Sequence, residues 1–449
     1  MNGSMKELMD KIFAEGKKCG FSDMEIFVSE GDSFEVKIYE QEIDSYKVAD
    51  SKGMGFRGVM NGKMGYSYTE KIADDSIALL LSGARQNAEL SDSKEQDVIF
   101  GGSKEYKAVR SYYPKLDDVT VAEKIEFAKK MERTAKAFDR RIKSCPYCLF
   151  GSNTGSGRIY NTKGLDLGSK SNSMFCYVEA LAQDGDDFSD GLAICDENDY
   201  EKFDPDKLAK EAAVKALSYL GTKPIKTGQY KAIIENIAVS DILAAVSSCF
   251  SARTVQKGMS FLKGRLGTEV ASMCVTLVDD PFKDGQGGTA SFDGEGVATM
   301  YKEVISKGIL KTYLHNSKSA KIDGVLSTGN ASRSYKSNIS IAPTNLYITP
   351  GTRSLDELEK AMGDGIVISE VAALHSGFDA ISGDFSLPAK GHVVKNGNKA
   401  EYFRQITISG NFFNMIKDIT EVGCDLSFGT NGSIGSPSLL ISNISVAGE

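Results

Sequence analysis

Three histidines are all that this 449-residue chain contains: His315, His375 and His392. No two of them stand one helical turn apart. A helix that grips a hydrolytic zinc through paired imidazoles is therefore not spelled anywhere in the sequence. Positive charge is scarce as well. The 53 Lys and Arg face 61 Asp and Glu, giving a net charge of −8 with no basic stripe, which argues against a nucleic-acid partner. No run of like charge is long enough to be an interaction tail. Long apolar runs are also missing. The longest, 237–250, is interrupted by Ser240, Asp241, Ser247 and Ser248, whereas a bilayer span needs about 20 predominantly apolar residues, so no membrane contact is expected. No basic region followed by an apolar block opens the chain, so no signal peptide is visible. The expected compartment is the cytoplasm, where thiols stay reduced.

What is present is ordinary globular material, 41% apolar and 25% charged. At about 150 residues per domain, the length suits two or three domains. Met5, Leu8, Met9, Ile12 and Phe13 fall at helical spacing, with Gly20 as a stop. Alternation over 24–28 and 34–39 predicts half-buried strands, and Asn61-Gly62 predicts a hairpin. Helices are predicted over 72–90, 119–138 and 205–220, the last capped by Asp204 and stopped by Gly221, with strands crowding 142–194 between them. Gly, Pro and charge concentrate in 221–228, a linker composition. It divides the chain into an N-terminal α+β domain, 5–221, with a possible internal break near 100–118, and a strand-rich C-terminal domain, 222–449. The latter carries one apolar helix (239–252), one charged helix (355–362) and strands at 366–373, 391–395 and 439–446. Strand and helix do not alternate regularly. The predicted fold class is α+β, two domains with largely antiparallel sheets.

Four motifs invite chemistry. Cys145-Pro146-Tyr147-Cys148 has the spacing of a redox pair, but it continues a strand instead of opening a helix, where the dipole would activate a thiol. Gly53-x-Gly55-x-x-Gly58 runs into the hairpin instead of a helix, so the glycines are read as relief for a twisted strand and not as a dinucleotide cradle. Asp279-Asp280-Pro281 with Asp284–Gly288 looks like a cation loop, yet Asx turns ahead of Pro and Gly explain it equally well. His375, Asp379, Asp384 and His392 are the one His/carboxylate cluster close in sequence, so a hydrolase using the His375/Asp384 region is a competing expectation. Cys249, on the apolar helix, reads as a small core residue.

The ordered set Asp279-Asp280-Pro281, Ser291–Val297, Thr328–Ala331, Ser382–Ser386 and Ser436–Ser438, ending at Val446-Ala447-Gly448, resembles the TldD/PmbA family. The resemblance covers almost the whole chain and is strongest from Gly228 onward. It implies a metallopeptidase complex acting in proteolysis or peptide maturation, formed by two branches that pair as a heterodimer. One branch carries His-Glu-x-x-x-His on a helix and a third zinc ligand, a Cys, near the C-terminus. This chain is similar to the other branch, PmbA or TldE. Ala244, Ala245 and Cys249 stand where the zinc helix would have its ligands, and 428–432 has no Cys. Alanine neither ligates zinc nor activates water. The resemblance thus implies a pseudoenzyme subunit with no catalytic residue, metal or cofactor of its own, and zinc only in a TldD-like partner. Peptides or unfolded segments would be the substrate. His375, Ser376, Gly377, Asp384 and Ser386 are the peptide-groove candidates. A homodimeric peptide-binding scaffold remains the alternative.

Overall fold

Strand alternation builds the N-terminal half. In a computed structural model describing residues 3–91, 98–429 and 432–449, β1 (Met24–Tyr39), β2 (Glu42–Met60), β3 (Lys63–Thr69), β4 (Ile142–Asn161), β5 (Asp166–Asp184) and β6 (Asp187–Glu197) form one antiparallel sheet. Its order is β3-β2-β1-β4-β5-β6. The two strands predicted over 24–28 and 34–39 are one continuous strand, because β1 pairs along its whole length with β2. Asn61 and Gly62 take φ of 52° and 77°, the left-handed pair that a two-residue hairpin requires. Residues on either side of 100–118 share this sheet, since β1 pairs directly with β4.

Helices α1 (Gly3–Lys18) and α2 (Ile77–Leu90) cover the β1–β3 end, while α3 (Pro114–Asp117), α4 (Val121–Phe138) and α5 (Pro205–Ser218) lie over β4–β6. Thr120 and Glu123 close a capping box on α4, and Asp204 accepts from the amides of Asp206 and Lys207 at the start of α5. The Ala-rich face of α5 lies so close to β6 that a Cβ on Gly191 would overlap the Ala212 carbonyl.

The C-terminal half opens with β7 (Gly228–Ile234), α6 (Asn236–Val246) and α7 (Ala252–Gln256). There follow β8 (Leu277–Asp279), β9 (Lys302–Ser306), β10 (Ile309–Leu310), α8 (Ser317–Asp323), the β11 (Ala331–Ser332)–β12 (Ser340–Ile341) pair, β13 (Leu346–Ile348) and α9 (Leu355–Met362). The chain closes with β14 (Gly365–Val371), α10 (Leu374–Gly377), β15 (Asp384–Lys395), β16 (Asn398–Asn411), α11 (Phe412–Met415), β17 (Ile419–Val422), β18 (Ser427–Phe428), β19 (Ile434–Ser436) and β20 (Leu439–Ala447). Two six-stranded sheets result, β16-β15-β14-β7-β20-β17 and β10-β9-β8-β13-β19-β18. Among the paired strands of the described residues, only β7–β14 and β13–β19 run parallel, apart from isolated bridges. The apolar face of α6 shares one core with residues of both sheets. No helix among the described residues is long and apolar enough to cross a membrane.

The helix predicted over 239–252 is shorter and starts earlier. It ends at Val246, a 3-10 turn spans Ser247–Phe250, and Ser251 is extended. The reason is long-range: the Leu314 amide donates to the Phe250 carbonyl and the Ala252 amide donates to the Leu314 carbonyl, so backbone groups that would continue the helix are taken by a strand-like bridge. Cys249 therefore lies in the turn and not on α6.

The halves are joined by buried polar contacts. Glu25 of β1, fully buried, meets Arg57 of β2 at 2.8 Å and Arg333 of the C-terminal half at 2.8 Å, and Arg57 stands 3.6 Å from Glu295. Beside them Tyr335 lies flat on β2. A Cβ on Gly53 would overlap its ring, and one on Gly55 would sit 2.7 Å from its carbonyl. The Gly53-x-Gly55 pair is thus explained by close approach of the other half rather than by strand twist.

Candidate functional site, a cleft between the halves

One face of β4–β6 is not covered by helix. Cross-strand register places Tyr147, Glu179 and Leu192 in one row, Tyr177 and Ile194 in the next, and Phe175 and Asp196 in a third. Because side chains alternate along each strand, these residues share a face, while Cys148, Val178 and Ala193 point the other way into the core under α4 and α5. Gly151, opposite Phe175, leaves room for that ring, which a Cβ would strike. Across from this floor stand the start of α6 (Asn236, Ile237, Asp241), the loop 283–292, and Leu426–Gly429 before and in β18. The space enclosed is a cleft of about 2390 Å³.

Desolvation dominates its electrostatics. Burial pushes the Asp241 carboxyl up to about 6, with Glu370 adding repulsion, and no hydrogen bond among the described residues reaches it. Burial also raises Glu179 and Glu235, although the Ser369 hydroxyl donates to Glu235 at 2.7 Å. A carboxylate left without donors at a cleft wall is equipped to accept N–H groups or a cation from a ligand.

β6 is the edge of its sheet, and its outward carbonyls are treated unequally. The Phe188 carbonyl accepts from Arg404, that of Leu192 from Lys215 at 3.0 Å, and Asp190 is held by Lys390, which bonds its carboxylate at 2.9 Å. By the two-residue period, the backbone groups of Ile194 and Asp196 face the same open edge, and no hydrogen bond among the described residues occupies them. Both residues line the cleft.

The residues singled out from sequence fall elsewhere. Ala244 and Ala245 are on α6 and half-buried, and Cys249 is buried in the turn beyond, its thiol pushed up by burial. β18 packs along α6, with Ser240 donating to the Ser427 carbonyl, so the segment expected to hold a third ligand does lie beside the helix. Of that segment, Thr430 and Asn431 lie outside the described residues. Two methyl groups and a buried thiol do not fit a zinc ion. Among the described residues, no group of three His, Cys, Asp or Glu is arranged to hold a metal.

His375, Ser376, Asp384 and Ser386 are exposed at one end of the C-terminal sheet, and Gly377 packs on the Ser386 carbonyl. They converge on α10 and the start of β15 but do not line the cleft. His392 is eight residues along β15 from Asp384, roughly 26 Å at the rise of a strand. Its Nε2 lies 2.8 Å from Glu359 of α9, and burial pushes its pKa down to about 3, so it is a neutral core imidazole. His375, Asp384 and His392 therefore do not form one site. His315 is buried too, with Ser319 at 3.3 Å from Nδ1. Asp279 is saturated by Lys302, Asn330 and Thr344, which leaves no cation loop. Burial raises the Cys145 thiol to about 12 and Cys148 further, which removes the redox reading of that pair.

Three family models match in chain order: PmbA/TldA metallopeptidase domain 1 over 24–88, the central domain over 114–220 and the C-terminal domain over 227–448. The Metalloprotease PmbA homolog of Buchnera aphidicola subsp. Baizongia pistaciae is 30% identical over 74% of this chain and 71% of its own length. Metalloprotease PmbA of Escherichia coli O157:H7 is 26% identical over 97% and 94%. A Thermotoga maritima crystal structure, labelled a candidate modulator of a DNA gyrase, superposes with a TM-score of 0.92 at 33% identity, covering 98% of this chain and all of that one. TldE from Thermococcus kodakarensis shares the fold, with a TM-score of 0.88 at 21% identity over 98% of this chain and 100% of that one. On these matches, the chain belongs to the PmbA/TldD metallopeptidase family.

Proposed function

We propose that this chain is the zinc-less subunit of a TldD/TldE-type heterodimeric metallopeptidase, and that it holds extended peptide or unfolded segments for a histidine-bearing, TldD-like partner. The observation that carries the reading is the donor set on α6 and in the turn after it, where Ala244, Ala245 and the buried Cys249 stand at the positions that the resemblance assigns to zinc chemistry. No hydrolytic step is assigned to this chain. Its contribution is a wall and a template. A substrate strand laid against Ile194 and Asp196 would complete the free edge of β6, a mode that reads backbone and rejects folded proteins. Asp241 would accept N–H or cationic groups from the same segment.

The test is reconstitution. This chain alone, its TldD-type relative alone, and the two mixed are assayed on an unfolded protein with and without a zinc chelator. Chelator-sensitive cleavage by the mixture, absent from this chain alone, is the expected result. Zinc-dependent cleavage by this chain alone would overturn the proposal.

A further inference from the structure

Half of the eight cysteines gather beneath α4 and α5: Cys145, Cys148, Cys176 and Cys195. The first two are inert by burial, and the Cys148 thiol donates to the Ala128 carbonyl at 3.1 Å. The other two differ in placement. Cys176 of β5 and Cys195 of β6 are direct cross-strand partners, and no bulge interrupts this ladder. Since residues 188, 190 and 192 face the open edge, residue 195 faces β5, which makes Cys176–Cys195 a hydrogen-bonded pair. Such partners have Cα atoms about 5.5 Å apart, inside the roughly 4.4–6.8 Å that a disulfide spans. Their Cβ atoms, at about 4.5–5.5 Å, are somewhat wider than a relaxed disulfide prefers, so the bond would draw β6 toward β5 and stay reducible.

We propose that Cys176 and Cys195 form a peroxide-sensitive thiol pair that closes to a disulfide, a modification site separate from the cleft. Cys195 is the attacking sulfur, because it is half-buried while Cys176 is fully buried. The two thiols face each other across the ladder, and this mutual proximity favours the thiolate at Cys195 and the proton at Cys176. The Cys195 sulfur attacks one oxygen of hydrogen peroxide, the O–O bond breaks, and the product is a sulfenic acid plus hydroxide, which leaves as water once protonated. The Cys176 sulfur then attacks the Cys195 sulfur, its proton goes to the departing hydroxide, and a second water leaves. Two thiols supply two electrons, and one peroxide becomes two waters. The new bond staples the edge strand to its neighbour on the face opposite the cleft.

The whole chain, reduced and then exposed to graded hydrogen peroxide, is alkylated, digested and read by mass spectrometry. A Cys176–Cys195 cross-linked peptide lighter by two hydrogens is expected, reversed by dithiothreitol and accompanied by slower hydrogen exchange in β6. In Cys176→Ser, Cys195 is expected to stay at sulfenic acid and to be trapped by dimedone. The proposal is overturned if both thiols remain alkylatable when exposed Cys19, Cys274 and Cys424 are already oxidised. It is overturned equally if Cys195 is carried to sulfinic acid in the wild type without cross-linking.

Discussion

Asp241 shows how one residue can oppose the fold that carries it. Its carboxyl titrates near 6 because burial penalises the charged form, whereas an unfolded chain would ionise it near 3.8. The native state therefore holds the extra proton between those values. Stability from this group is fully present below the lower value, declines as pH rises through the interval, and is gone above about 6. An asparagine of the same shape has no such titration. Asp241→Asn is expected to be more stable than the wild type at pH 7–8, by roughly 1–3 kcal/mol, with the difference shrinking toward pH 4. Urea unfolding at both ends of that range checks it, and a pH-independent difference would mean that the carboxylate is already compensated. In the reconstituted complex the same change is expected to weaken peptide binding, the usual exchange between stability and function at a desolvated site.

At the scale of elements, β6 is the informative strand. Its outward N–H groups at 194 and 196 are not part of the ladder with β5, so proline at 194 removes a donor from the open edge and none from the sheet. Ile194→Pro is expected to leave the fold intact and to lower peptide affinity of the reconstituted complex about tenfold, read by fluorescence anisotropy with an unfolded peptide; a donor to charged or backbone acceptors carries energy of that order. An unchanged affinity would place the peptide on another surface. The strand character of β6 was legible in advance, since strands are expected to crowd 142–194, and elsewhere the hairpin at Asn61-Gly62 and the cap at Asp204 were spelled outright. The edge was not legible, because whether a strand ends a sheet depends on pairings tens of residues away. The same limit hid the break in the predicted 239–252 helix, which Leu314 imposes from 60 residues downstream, and the cleft position of Asp241, which in sequence only interrupts an apolar run. The groove candidates His375–Ser386 sit apart from the cleft for a related reason: closeness in sequence fixed their place on α10 and β15, but the cleft is lined by other segments of the domain.

The whole molecule poses a coupling problem. None of the four hydrophobic clusters among the described residues draws from both halves, so most apolar burial stabilises each half separately. What unites them is mainly polar: Glu25 with Arg57 and Arg333, the Tyr335 arm on β2, Arg404 with Asp187, and Lys390 bridging Asp190 at 2.9 Å to Glu370 at 3.0 Å beside the Tyr219–Tyr402 ring pair. Such locks fix the width of a cleft without filling it, which is what a peptide-holding wall requires. Burial alone would raise the Glu25 carboxyl, but the two guanidinium groups overcome this and hold it below its ordinary range. The lock is therefore complete above the usual carboxylate range and is lost as pH falls through the lowered value. Glu25→Gln would take the shared carboxylate away from two buried guanidinium groups, a loss of about 3–5 kcal/mol by the measure of broken buried pairs. Because that energy couples the halves instead of building either core, it is expected to appear as lost cooperativity. The wild type should melt in one calorimetric transition near neutral pH, and Glu25→Gln should resolve into two, as should the wild type only once pH falls below the ordinary carboxylate range. A variant that still melts as one unit at a lower temperature would shift the coupling to the Lys390 bridge, and Lys390→Met would then be the change that separates the halves.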